Sequence, residues 1–117
     1  MSKSSESINI VNELKNFKNT EKHDRSIDEL RDIFYALSDK IRLEIIILLI
    51  DNEEICACKF QDFFKISQPN LSFHLRILRK SNLVKTQRKG NWIHYSLNGG
   101  NHLLNVLIPL IKNDGKL

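Results

Sequence analysis

The apolar residues of this chain change their period near residue 83, and that change restricts the fold more than any other feature. Before it they recur every three or four positions, the spacing of one helix face. Ile27, Leu30, Phe34 and Leu37 make one such stripe. Ile41, Ile45, Leu48 and Leu49 make a second, with Ile46 and Ile47 on its flanks, the pattern of a centrally buried helix. Ser38 and Asp39 read as a cap or break between them, and residues 51–54 as a polar turn. A short third helix is expected over 56–64, with Phe60, Phe63 and Phe64 inward. After a turn at Lys65-Ile66, Ser67 reads as the N-cap of a fourth helix. Pro69 lies in its first turn, where a missing N–H costs little. Leu71, Leu75 and Leu78 form its buried stripe, and Asn82, which tolerates a left-handed backbone, ends it.

Beyond that point residues 83–88 and 92–97 are runs of β-formers about Lys89-Gly90-Asn91, a hairpin with a glycine in its turn. Asn98-Gly99-Gly100 breaks the chain. Residues 101–112 predict a last helix, apolar around most of its circumference and kinked or split by Pro109. A single domain of this size cannot cover such a helix, so a second subunit is expected against it. Residues 1–26 are a polar arm in which Ile10, Leu14 and Phe17 allow a short helix. The expected fold is mainly α with a β-hairpin wing. It is a winged helix-turn-helix over 27–98, followed by a C-terminal dimerisation helix within 99–117.

Charge says what such a fold serves. Residues 1–62 hold 9 Lys/Arg and 13 Asp/Glu, a net of −4. Residues 63–117 hold 9 Lys/Arg against Asp114 alone, a net of +8, and 63–113 contain no carboxylate. A basic half of this kind meets a polyanion such as nucleic acid, or is a solvated surface. The longest apolar run, 45–50, is far short of the ~20 residues that span a membrane. The first residues lack a secretory apolar core, so a cytoplasmic protein without a membrane partner is expected. No nucleophile–base pair, Gly-rich phosphate loop or paired carboxylates mark an enzyme.

On the fourth helix, Gln68, Asn70, Ser72, Phe73 and Arg76 lie opposite the leucine stripe and are the candidate DNA-reading face. Gln and Asn can pair bidentately with adenine, and Arg with guanine. Arg88 and Lys89 in the wing suit phosphates or a minor groove. His74, beside a core leucine, reads as a structural hydrogen bonder, and Trp92 and Tyr95 as wing packing. Cys56 and Cys58 open the third helix. Mid-helix, residues i and i+2 point about 200° apart. At a helix start or in extended backbone they can converge on one ion, whose binding would then distort the first helix of the reading motif. The helix N-terminus and Lys59 are expected to favour the thiolate. Soft thiolates suit soft ions. Two of them with an exogenous thiol or water fit trivalent arsenic or antimony better than tetrahedral zinc. A thiol-redox switch and two half-buried residues without a ligand are the alternatives.

Several motifs, in order, resemble the ArsR/SmtB family of repressors. Ser67-Gln68-Pro69-Asn70-Leu71-Ser72-Phe73-His74-Leu75-Arg76-Ile77-Leu78-Arg79 is similar to its recognition helix. Ala36-Leu37-Ser38-Asp39-Lys40-Ile41-Arg42-Leu43-Glu44-Ile45 is similar to an earlier helix, and Arg88-Lys89-Gly90 with His94-Tyr95-Ser96-Leu97 to its wing. The resemblance spans about residues 27–98. It implies a homodimer on the terminal helices, binding an operator that is an imperfect inverted repeat and leaving it when an inducer binds. No cofactor is required. The cysteine pair, in Glu54-Ile55-Cys56-Ala57-Cys58-Lys59-Phe60-Gln61, resembles the family's metal-sensing helix, with Gln61 where the arsenic-sensing version has a third cysteine. The resemblance implies trivalent arsenic or antimony as inducer, with cadmium, lead or zinc as alternatives. The cadmium/lead version adds N-terminal cysteines; here only Glu21, His23 and Asp24 are comparable. The zinc site of the last helix is expected to be absent, with only His102 and a distant Asp114.

Overall fold

The computed structural model describes residues 21–112, with side chains from Ser26 onward. Its helices are α1 (Glu21–Leu37), α2 (Lys40–Asp51), α3 (Ala57–Phe64), α4 (Gln68–Lys80) and α5 (His102–Lys112). Its strands are β1 (Ile55–Cys56), β2 (Val84–Lys89) and β3 (Trp92–Leu97). The expected helix about Ile10, Leu14 and Phe17 lies outside the described residues, as does Asp114. A division between two compact units falls within α1, between Arg31 and Asp32.

Local chemistry sets the helix ends. Asp39 caps α2, its carboxylate accepting from the Arg42 N–H at 3.1 Å. Ser67 caps α4 by accepting from the Asn70 N–H at 3.2 Å, with Pro69 in the first turn as expected. Asn82 follows α4 in the left-handed region at φ 60°. The Asn101 side chain caps α5 through the Leu104 N–H at 3.0 Å. That helix runs as one element through Pro109 rather than in two pieces. The proline removes only the N–H that the Asn105 carbonyl would have received.

The hairpin forms in the register Lys89↔Trp92 to Val84↔Leu97, and Gly90 takes a φ of 62° in its turn. The sequence reading missed β1, which pairs antiparallel with β3 as Ile55↔Tyr95 and Cys56↔His94. The sheet order is therefore β1-β3-β2, and the wing is anchored at the start of α3. Two residues are too few to show a period.

One core gathers Ile45, Ile46 and Leu49 of α2, Phe60 of α3, Leu71, Leu75 and Leu78 of α4, Leu83 and the wing's Val84 and Tyr95. The first stripe is corrected. Ile33 and Ala36 are α1's buried residues, whereas Ile27, Leu30 and Phe34 are exposed. Ile47 and Phe63 are exposed as well, and of the last helix only Leu104 is buried. Helical period identifies an apolar face but not which partner covers it, and here one chain covers only part.

Candidate nucleic-acid interface and thiol pair

The leucine stripe of α4 fixes what the rest of that helix presents. With Leu71, Leu75 and Leu78 in the core, Gln68, Asn70, Ser72, Phe73 and Arg76 are all exposed. His74 is the polar member of the buried side. The Arg42 guanidinium donates to its Nδ1 at 3.1 Å, and Asp39 stands 3.6 Å from the same nitrogen. His74 is thus a structural hydrogen bonder, and it links the reading helix to the cap of α2.

In the wing, Arg88 and Lys89 are exposed. Arg88 bonds the Gly90 carbonyl through Nε at 3.2 Å, leaving its terminal nitrogens available. Lys89 has a partner that sequence reasoning missed: its ammonium pairs with Glu54, which also lies 3.4 Å from His94 Nδ1. The hydrogen bond from Lys89, helped by the positive charges of Lys89 and His94, holds the Glu54 carboxyl below its ordinary range. Glu54 immediately precedes β1, so the pairing of β1 with β3 brings these groups together. Tyr95 packs in the wing as expected, its ring edge against Phe60 at 6.4 Å between centroids. Trp92 does not; it is 58% exposed near the turn.

Cys56 ends β1 with extended backbone at φ −67°, ψ 140°, and α3 begins at the next residue. Cys58 stands in the first helical turn. This junction turns both side chains to one place, and their sulfurs are 2.7 Å apart, both cysteines being free. The expected convergence of the pair is present. The expected ease of ionisation at Cys58 is not. Its thiol donates to Cys56, and that hydrogen bond first, then desolvation and the nearby charges of Cys56 and Asp62, push it above its ordinary range. The Lys59 backbone N–H acts in the expected direction but is outweighed. Among the described residues no group of three or more His, Cys, Asp and Glu side chains could hold a metal ion. The pair therefore offers two protein ligands. Cys58, Gln61, Gln68, Ser72 and Trp92 line a cavity of about 290 Å³ that continues from it toward the reading helix.

The profile of the bacterial regulatory protein, arsR family, matches residues 39–86. An arsenical resistance operon repressor of Staphylococcus aureus is 45% identical over 88 residues, 75% of this chain and 79% of that protein. The chain belongs to the ArsR family. This ArsR-family regulator is also 42% identical to the arsenical resistance operon repressor of Bacillus subtilis over 65 residues, 56% of its own length and 62% of that relative's. In fold it matches the homodimeric winged helix-turn-helix DNA-binding domain Mb0332 of Mycobacterium bovis, with a TM-score of 0.70 over 81% of this chain and 85% of that one at 21% identity. The regulator is thus a DNA-binding winged helix-turn-helix protein of a family that is not enzymatic. No described helix is long and apolar enough to cross a membrane.

Proposed function

We propose that this regulator is a homodimeric cytoplasmic repressor that leaves its operator when trivalent arsenic or antimony bridges Cys56 and Cys58. The observation that carries the reading is the meeting of the two sulfurs, 2.7 Å apart, where β1 becomes α3. On one ion with metal–sulfur bonds of about 2.3 Å, two thiolates stand roughly 3.5–3.8 Å apart, so chelation fixes the spacing of the two sulfurs. Cys56 pairs with His94 in the wing, and Cys58 belongs to the first helix of the reading motif. A ligand held by both sulfurs therefore acts on both DNA-facing parts. The third position on the ion goes to a small exogenous thiol or water, for which the cavity beside Cys58 has room. The Staphylococcus aureus and Bacillus subtilis relatives are arsenical resistance repressors, which supports the same inducer class.

On DNA, Gln68 and Asn70 serve adenine, Arg76 guanine, and Phe73 a thymine methyl, with Ser72 at a phosphate or base edge. Arg88 and Lys89 hold phosphates. The exposed apolar residues of α5 and of the end of α1 meet a second copy, which sets two α4 helices on the half-sites of an inverted repeat.

The test is operator release titrated separately with arsenite, antimonite, cadmium, lead, zinc and peroxide. Arsenite and antimonite are expected to act at the lowest concentrations, and the double Cys→Ser protein to stay bound. Release of that variant at the wild-type arsenite concentration would refute the site. The same proximity of sulfurs also suits a dithiol–disulfide switch, and release by peroxide without metalloid would select that reading.

A further inference from the structure

The reading face on α4 does not stop at Arg76. Ser72, Arg76 and Lys80 succeed one another at i, i+4 and i+8, and Arg79 lies beside them, one turn beyond Arg76. These four side chains and Tyr95 of β3 line a cavity of about 450 Å³ between the end of the reading helix and the wing. Three of the five are cations, and none is a carboxylate. The tyrosine ring is buried against Phe60, which fixes where its hydroxyl can stand. That hydroxyl is close enough to the Arg79 guanidinium to feel its charge. No hydrogen bond to another side chain or to the backbone occupies Arg76, Arg79 or Lys80 in the described structure.

We propose that this cavity is a phosphate socket, which takes one backbone phosphate of the operator duplex between Arg76, Arg79 and Lys80, with Tyr95 and Ser72 as hydroxyl donors. The inference rests on the DNA-binding character of the family. It adds Arg79, Lys80 and Tyr95 to the interface; sequence reasoning assigned Tyr95 to wing packing and gave Arg79 and Lys80 no role of their own. It also moves Arg76 from reading bases to positioning the helix. The chemistry selects phosphate over a carboxylate ligand: three cations line one cavity, and arginine forks and hydroxyls match phosphate oxygens. The place selects a duplex over a free anion, because Ser72 and Arg76 belong to the face turned toward the groove. A phosphate held here, at the C-terminal end of α4, would set the depth and angle of the helix while its N-terminal residues Gln68 and Asn70 reach base edges.

The experiment compares wild type with Arg79→Gln, Lys80→Gln and Tyr95→Phe on operator and random duplexes across salt concentration. Circular dichroism checks folding; Tyr95→Phe keeps the packed ring and serves where the others fold poorly. Loss of the phosphate contact lowers the slope of log affinity against log salt by about 0.9 per socket, so each single charge removal is expected to lower it by up to that amount. Operator and random DNA should weaken in the same proportion. Tyr95→Phe is expected to weaken both several-fold with the salt slope unchanged, since a neutral donor releases no counterion. Among the positions where phosphate ethylation blocks wild type, one per half-site should lose its effect in Arg79→Gln. Unchanged slopes and an unchanged ethylation pattern in a wild type that binds operator would overturn the socket alone. A wild type that binds no duplex would overturn the DNA reading and the socket together. Saturable binding of inorganic phosphate without DNA, lost in Arg79→Gln while the salt slope stays intact, would instead make the cavity a free-anion site and overturn the proposal.

Discussion

Arg42 sits in the first turn of α2 and is only 4% exposed. A buried cation is tolerated only when its donors are satisfied, and its are. Nε donates to the Ala36 carbonyl at 2.7 Å, Nη2 to the Tyr35 carbonyl at 3.2 Å and Nη1 to His74 Nδ1 at 3.1 Å. Because arginine keeps its proton, His74 Nδ1 is the acceptor and the neutral ring carries its hydrogen on Nε2. One side chain thus ties the end of α1 and the start of α2 to the middle of α4. Arg42→Met is expected to cost about 2–5 kcal/mol in urea unfolding by leaving two carbonyls and the imidazole unpaired, and His74→Ala about 1–3 kcal/mol. A change below about 0.5 kcal/mol in both, typical of surface sites, would show the network to be idle. The cysteines give a second test. Cys56→Ser or Cys58→Ser should keep operator binding, since serine suits a helix start, and lose arsenite release, since one thiolate cannot chelate. Gln61→Cys, whose side chain would line the cavity beside Cys58, should lower the inducing concentration. With the Cys58 thiol held above its ordinary range, its alkylation rate should still be climbing where a free thiol has levelled off. Cys56→Ser removes the neighbouring sulfur and its charge and should move that profile to lower pH. A profile unmoved by Cys56→Ser would mean that the thiols do not interact.

At the next scale the proposed roles of the wing and the reading helix can be told apart by experiment. Glu54 occupies the Lys89 ammonium, so part of the wing's charge is held back from DNA. Glu54→Gln should raise affinity for all duplexes at low salt, an effect that disappears as salt rises. If affinity falls instead, the ion pair shapes the wing rather than restraining it. Because the Glu54 carboxyl is lowered, the pair persists above the ordinary carboxylate range and is lost as pH falls through the depressed value. Wild type should therefore approach the Glu54→Gln behaviour only in acid. Gln68→Ala, by contrast, should reduce discrimination between operator and random DNA by roughly 1–3 kcal/mol. Arg88→Ala should weaken both alike. Equal behaviour of the two in a competition assay would merge the roles. How legible these elements were follows from their size and their partners. α4 could be read whole, because Ser67, Pro69, the leucine stripe and Asn82 each carry a local rule. β1 has two residues and no pattern, and with it went the Glu54–Lys89 pair, which exists only because β1 lies beside β3. Phe63 was misplaced inward because it shares the helical spacing of Phe60 and Phe64, and spacing alone does not show how much of an apolar face the core reaches. The basic cavity stayed hidden because Tyr95, fifteen residues past Lys80, closes it only in three dimensions.

The proposed dimer rests on the apolar faces that the described residues leave exposed. Phe34 and Tyr35 at the end of α1 are 58% and 56% exposed, and Val106 and Leu110 of α5 are 63% and 46% exposed. The sequence could show that these stripes are apolar but not that this chain leaves them uncovered, since period is the same whether a core or a partner receives it. Burying them in a two-fold contact removes the exposed surface and fixes two reading helices at one separation, about one helical turn of DNA or a multiple of it. Occupancy of an operator then depends on the dimer, because each subunit alone holds one half-site. Val106→Glu with Leu110→Glu puts carboxylates into the face without touching Leu104, the buried residue of α5, so each subunit should keep its fold. Sedimentation is expected to give a dimer for wild type at micromolar concentration and a monomer for the double variant. Operator affinity should collapse to the level of random DNA, while binding to a single half-site stays as weak as in wild type. Preserved operator affinity in a protein that sediments as a monomer would show that one subunit suffices, and that the bare faces of α1 and α5 serve something other than self-association.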